Sequence, residues 1–408
     1  MTGYPRNFLW GAATAGHQIE GNNVNADIWL LEQLPETQFR EPSGDACDSL
    51  NRWREDLALI TRMGLDAYRF SVEWSRIEPA EGQFSQAWLD HYAAIACECR
   101  LRGLSPVITL SHFTSPRWFA AAGGWSNGRA PELFARFAGH VAHALGRDAS
   151  HVVTFNEPNL PLMGRWTQTP LADPVRTGLD EMLRGAARAS GSDIFDVWVY
   201  ARGEDARLAN LLAGHRAARA AMKAEYPGLP IGMSLALPDI QPVGSDAGVK
   251  AYRRFAEDPF FAVARNDDFI GVQNYGRLRL SADAVVPPPD DAEKTQSGDE
   301  FHPQALGPAI AHAHRVTGRP VLVTENGIAA ADDSQRQRFI EKALAALDEQ
   351  VAAGTPVLGY LHWSLMDNFE WRRGYSQQFG LVAVDRTRFR RSPKPSAKTY
   401  SELVEKRR

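Results

Sequence analysis

Cysteine is scarce, with three residues in 408, an odd number that cannot all pair within the chain. Cys97 and Cys99 stand two apart on a stretch that reads as helix, where such side chains diverge. The thiols are therefore expected to be reduced and buried, as in a cytoplasmic protein, and not bridged or metal-bound. An excess of positive charge is equally absent. With 45 basic and 49 acidic residues the formal net charge is -4, which gives no general attraction to nucleic acid or anionic lipid. No apolar run reaches the roughly 20 residues of a membrane-spanning helix; the longest are broken by Arg, Asp or His. The opening MTGYPRNFLWGAATAG has one Arg and a Trp-Gly break, unlike the basic start and long apolar stretch of a secretion signal. No GxGxxG follows an early strand, which argues against an open dinucleotide-binding sheet.

What is present is an ordinary globular composition, 44% hydrophobic and 23% charged, enough to build a large core. Short β-rich runs alternate with longer amphipathic stretches, the pattern of a parallel sheet with helices outside it. Eight strands are expected near Phe8–Thr14, Asp66–Val72, Ser105–Ser111, His151–Phe155, Pro230–Leu235, Asp268–Gln273, Pro320–Thr324 and Pro356–His362. Helices are expected at Arg52–Met63, Gln86–Arg102, Pro131–Leu145, Arg207–Glu225, Pro303–Thr317 and Asp333–Ala353. Ser85 can cap the second of these, Pro131 can open the third, and Gly354 with Pro356 closes the last. Eight such units point to an α/β fold, a single (β/α)8 TIM barrel occupying residues 1–408 as one catalytic domain with elaborated βα loops. Two stretches exceed ordinary loop length. Pro161–Gly203 mixes Gly, Pro and Asp with Trp166, Phe195, Trp198 and Tyr200, aromatics that can line a ligand site or pin down their own loop. Ser281–Glu300, with PPPDD, reads as a mobile surface loop.

In a barrel of this kind the chemistry stands at the C-terminal ends of the strands. Those positions carry His17, Gln18 and Glu20; Arg69, Glu73, Trp74 and Arg76; His112; Asn156 and Glu157; Asn274 and Tyr275; Glu325 and Asn326; then Trp363, Asp367, Asn368, Glu370 and Trp371. Glu157 and Glu325 end the fourth and seventh strands, on roughly opposite sides of the barrel mouth. Two carboxyls across a space the size of one sugar ring are what glycosidic bond cleavage requires, and about 5 Å between them is the spacing of the retaining route. Arg69 and Tyr275 can hold Glu325 ionised, while Glu157 needs a less polar setting to keep its proton. Trp363 and Trp371 can serve as sugar platforms or as core, and Gln18, His112, Asn156 and Glu370 can read hydroxyl positions.

The segments FLWGAATAGHQIEG, YRFSVEWSRIEP, TFNEP, VTENGI and WSLMDNFEWRRGYSQQFGLVAVD together resemble glycoside hydrolase family 1, in order and in register from Phe8 to Asp385. The resemblance implies Glu157 as acid/base and Glu325 as nucleophile, with Arg69 and Tyr275 touching the nucleophile. It implies Gln18, His112, Asn156, Trp363, Glu370 and Trp371 as the subsite of the cleaved sugar, with Phe379 beside them, and neither metal nor cofactor. The pattern departs from the family at Phe113, where Trp is usual after His112, and at GVQNY, which shifts Gln273 and Asn274. The chain is also shorter than most members, as trimmed loops would make it. Members acting on 6-phosphorylated sugars tend to have Ser, Lys and Tyr where this chain has Glu370, Gln377 and Phe379, and a carboxylate repels phosphate. The expectation is a retaining exo-β-glycosidase, a β-glucosidase above all, taking a small unphosphorylated β-glycoside. A transglycosidase using the same site and a non-catalytic glycoside-binding barrel are the alternatives; oligomeric state is not legible.

Overall fold

Runs of Val, Ile and Leu between turn residues form the strands of the computed structural model, which describes residues 3–167, 173–200, 205–282 and 284–408. The barrel strands are β1 (Leu9–Ala13), β2 (Ala67–Ser71), β3 (Ser105–Ser111), β4 (His151–Asn156), β5 (Ile231–Ala236), β6 (Ile270–Asn274), β7 (Val321–Asn326) and β8 (Val357–Trp363). All pair in parallel and in chain order, and β1 joins both β2 and β8 to close the barrel. The largest offsets from expectation are two residues, at β6, which starts at Ile270 and not at Asp268, and at β7, which ends at Asn326 and not at Thr324.

Alternation along the strands separates two cores. Leu9, Ala13, Ala67, Val107, Val153, Leu322 and Leu361 point inward and fill the barrel. Trp10, Tyr68, Ile108, Val152, Ile231, Val272 and Val323 point outward against the helices. The expected helices form at Ser49–Arg62, Gln86–Leu101, Ala130–Leu145, Asp205–Glu225, Leu306–Thr317 and Asp333–Ala352. Pro131 lies in the first turn of its helix, and Gly354, at φ 84°, follows the last. Ser85 precedes its helix but its hydroxyl caps nothing.

The alternation fails at two places, and both matter. Between Val153 and Asn156, β4 spends three residues where β5 spends two. β7 likewise carries one residue more than β6 and β8 between Val323 and Asn326. Bulges of this kind re-aim side chains next to active sites. Strict alternation from Leu322 would turn Glu325 outward; the extra residue turns it into the barrel.

Several expectations need correction. Pro161–Gly203 is not a plain loop: its described part holds helices Leu160–Thr167 and Asp173–Ser190. Met182, Ala186 and Phe195 pack with Ile28, Leu31 and Phe369 into a small core of their own above the barrel. Phe195 and Trp198 are buried, and the Trp198 indole donates to the Pro158 carbonyl at 2.8 Å, so these aromatics pin their own segment. The Trp166 side chain lies outside the described residues. Ser281–Glu300 is anchored, through Val286 N–H to Arg279 O at 2.8 Å and an Arg277–Glu300 ion pair at 2.5 Å. All three thiols are free, but only Cys47 and Cys99 are buried; Cys97 is exposed. Among the described residues no helix is long and apolar enough to cross a membrane.

Candidate active site

Arg69 stands on β2 with its guanidinium wholly inside the barrel. Its Nε donates to Thr109 Oγ1 at 2.9 Å, Nη2 to Asn156 Oδ1 at 2.6 Å, and Nη1 to the Thr324 carbonyl at 3.2 Å and to Glu325 Oε1 at 2.5 Å. Tyr275 donates to the other Glu325 oxygen at 2.5 Å. Gln273, which the β6–β7 register places beside Glu325, donates to Glu325 Oε1 at 2.9 Å and Asn156 Oδ1 at 2.6 Å. Glu325 is thus fixed by three side chains from two strands. Gln273 was not among the expected site residues, although it shares the inward face of its strand with Tyr275, two positions on. Asn274 points elsewhere, to the Leu237 carbonyl at 2.9 Å.

Glu157 follows β4 at φ 45°, a backbone conformation uncommon for non-glycine residues. Its N–H donates to the Ser234 carbonyl at 2.8 Å, and no side chain donates to its carboxyl among the described residues. It feels the charge of Glu325 directly, and with Gln273 and Tyr275 it lines one cavity. Gly327 allows β7 to end here: a Cβ at that position would stand 1.9 Å from the Trp363 carbonyl oxygen.

The remaining expected residues join the same place. His112 stacks on Trp363, with centroids 5.5 Å apart, and on Trp371 at 6.1 Å. Trp363 is buried in the inner core with Tyr275 and Phe379 packed against that core; Trp371 is only half-buried. Gln18 donates to Asn368 Oδ1 at 2.9 Å and to the Phe369 carbonyl at 2.8 Å. Phe379 meets Tyr275 edge-on at 5.9 Å. Five atoms of this set are buried and find no partner in the protein: Gln18 Oε1, His112 Nδ1, Asn156 Nδ2, Gln273 Oε1 and Glu370 Oε1. Buried polar atoms are almost always paired, and here five that are not stand on residues of one neighbourhood.

Other polar residues at the strand ends serve the frame. Glu20 and Arg76 pair at 2.9 Å, Glu73 accepts from Thr114 at 2.7 Å, and Asp367 pairs with Lys394 at 2.7 Å. Trp74 stacks on Phe137 in the outer core.

The model of the glycosyl hydrolase family 1 matches residues 1–193 and 266–408. The chain belongs to glycosyl hydrolase family 1. The Agrobacterium β-glucosidase is 31% identical over 466 residues, spanning 98% of this chain and 95% of that protein. That span exceeds the 408 residues present here, in line with trimmed loops. Among solved structures, the β-glycosidase BGL167 superposes with a TM-score of 0.94 at 45% identity, covering 99% of this chain and 97% of its own. A β-glucosidase from Thermotoga maritima bound to noeuromycin gives a TM-score of 0.85 at 26% identity, covering 100% of this chain and 99% of its own.

Within this family 1 site, electrostatics sets the two carboxyls apart. Burial and the charge of Glu325 hold the Glu157 proton well above the usual carboxyl range, with Arg69 opposing. Burial also raises Glu325, but Arg69 and Tyr275 bond its ionised form and pull it back. Burial and the two glutamates keep the Tyr275 hydroxyl protonated, so it remains a donor. Burial, with Arg69 nearby, keeps His112 neutral.

Burial, then Glu325 and Asp367, pushes Glu370 up from its ordinary 4.5 to about 8. Between those values the folded state binds more protons than the unfolded chain, so this residue makes stability fall as pH rises from 4.5 to about 8. Glu370→Gln is expected to raise the melting temperature relative to wild type more at pH 9 than at pH 5. Thermal unfolding across pH checks this; an equal shift at both pH values would contradict it.

Proposed function

We propose that this chain is a retaining exo-β-glucosidase in which Glu325 is the nucleophile and Glu157 the general acid/base, both on one catalytic domain. The observation that carries the reading is the asymmetry of the pair: Glu325 accepts from Arg69, Tyr275 and Gln273, whereas burial and the charge of Glu325 press a proton onto Glu157. An ionised nucleophile and a protonated acid are the starting states for retention.

In the first step Glu325 attacks the anomeric carbon as the Glu157 proton moves to the leaving oxygen, and a glycosyl ester forms on Glu325. Esterification removes the Glu325 charge, one of the causes that raise Glu157. Glu157, ionised by its proton transfer, then becomes a weaker holder of protons, suited to activating water in the second step. Another alcohol at that position gives transglycosylation by the same route. Neither step calls on a metal or organic cofactor.

Gln18, His112, Asn156 and Glu370 are proposed to bond the hydroxyls of the sugar being released, with Trp363, Trp371 and Phe379 as its apolar walls. An unphosphorylated sugar fits this set, because Glu370 lies close to the negative Glu325 and Asp367. The buried thiols Cys47 and Cys99 support a cytoplasmic setting.

Proton NMR of an aryl β-glucoside digest tests the mechanism: β-glucose is expected as the first-formed product, and α-glucose would mean inversion. Glu157→Gln is expected to lower kcat/KM about 10²- to 10⁴-fold on alkyl glucosides, the usual worth of general acid catalysis. The loss in kcat/KM should shrink for a dinitrophenyl leaving group, which needs no proton. An equal loss on both substrates would remove Glu157 from the acid role.

A further inference from the structure

Glu157, Gln273 and Tyr275 form one part of the lining of a groove of about 400 Å³. Leu160, Leu237, Leu278, Val285, Val286 and Pro287 line it. Its polar residues are mostly engaged with one another or with the groove wall. Arg277 bonds both Glu300 oxygens, at 2.8 and 2.5 Å, and Gln241 at 2.9 Å. Arg279 Nη1 donates to the Pro287 carbonyl at 2.8 Å, and Gln273 and Tyr275 are committed to Glu325. Asp299, with an exposed carboxylate, stands among the lining residues.

The wall is also fixed in place. Strand Arg277–Leu280 pairs with Asp239–Pro242, and Val285 bridges back to Leu280. Val285 is 37% exposed, one of the few large apolar side chains left so open. A second sugar needs several convergent donors and acceptors for its hydroxyls. The groove offers mostly apolar surface, with its charged residues Arg277 and Glu300 paired to each other.

We propose that this groove seats the aglycone and selects an extended apolar one, alkyl or aryl, over a second sugar. The inference rests on Glu157 acting at the leaving oxygen, since that places the aglycone in this groove.

An alkyl β-glucoside series from methyl to octyl, with cellobiose alongside and all kept below micellar concentration, tests it. kcat/KM is expected to rise about two- to fourfold per methylene, approaching the worth of one buried CH₂, and to level off once the groove is filled. Octyl glucoside should exceed cellobiose. Val285→Asp, at an exposed position, should flatten the slope and lower the octyl-to-methyl ratio about tenfold. A flat series, cellobiose as the better substrate, or an unchanged slope in Val285→Asp would overturn the proposal while leaving the glucosidase reading standing. Failure to hydrolyse any β-glucoside would overturn that reading and the proposal with it.

Discussion

Replacing Glu325 by glutamine is expected to lower kcat by about 10⁴-fold or more on aryl β-glucosides, the scale of losing a covalent nucleophile. The amide keeps the shape, and its one oxygen can still accept from Arg69, but the NH2 in place of the other oxygen cannot accept from Tyr275, and the group cannot attack the anomeric carbon. The fold should survive, because the hydrogen-bonded positions at the end of β7 remain filled. A second consequence follows from the charge. Since the Glu325 carboxylate helps raise Glu157, Glu157→its ionised form should become easier in the variant, moving its titration to lower pH. Carbon-13 NMR of labelled glutamate would show this shift alongside an unchanged circular dichroism spectrum. Retained activity would remove Glu325 from the nucleophile's role, and an unmoved Glu157 titration would break the electrostatic link between the two acids.

Arg69→Met is expected to be the most damaging change away from the two acids. Its guanidinium is wholly buried and bonds Thr109, Asn156, the Thr324 carbonyl and Glu325. Removing one partner of a buried ion pair costs about 3–5 kcal/mol. The stranded Glu325 should then hold its proton more tightly, because Arg69 is the foremost influence lowering it. The acid limb of kcat/KM should therefore move to higher pH. Denaturant unfolding measures the first effect and a pH–rate profile the second. Arg69→Lys should recover part of the charge effect and little of the stability, since one ammonium cannot reach all four acceptors. Wild-type stability in the methionine variant would show that the pair is not a structural keystone.

How far these features were legible in the sequence depended on their range. The eight strands stand out because barrel strands are short, rich in Val, Ile and Leu, and separated by amphipathic helices. Helix Asp173–Ser190 was missed although its signal is present: Leu179, Met182, Leu183, Ala186 and Ala187 follow helical spacing. The neighbouring Gly, Pro and Asp residues drew attention to loop chemistry and away from that periodicity. The two bulges were not legible, because an extra residue in a strand appears only once its neighbours are paired. They decide the site all the same, for without the one in β7 the alternation from Leu322 would face Glu325 away from Arg69.

Roles set by contact were likewise hidden. Phe195 and Trp198 were open between ligand wall and loop anchor until burial and the Pro158 bond decided for the anchor. Gln273 was read as a displaced family position, yet it braces both Glu325 and Asn156. Only the register of β6 against β7 makes that bracing visible.

The covalent ester on Glu325 is the claim on which the mechanism turns. A 2-deoxy-2-fluoroglucoside with a dinitrophenyl leaving group slows the second step more than the first, so the ester should accumulate. Peptide mass spectrometry of the inactivated protein should then find one fluoroglucosyl group, on Glu325. A label on any other residue, or turnover with no label and α-configured product, would contradict the account.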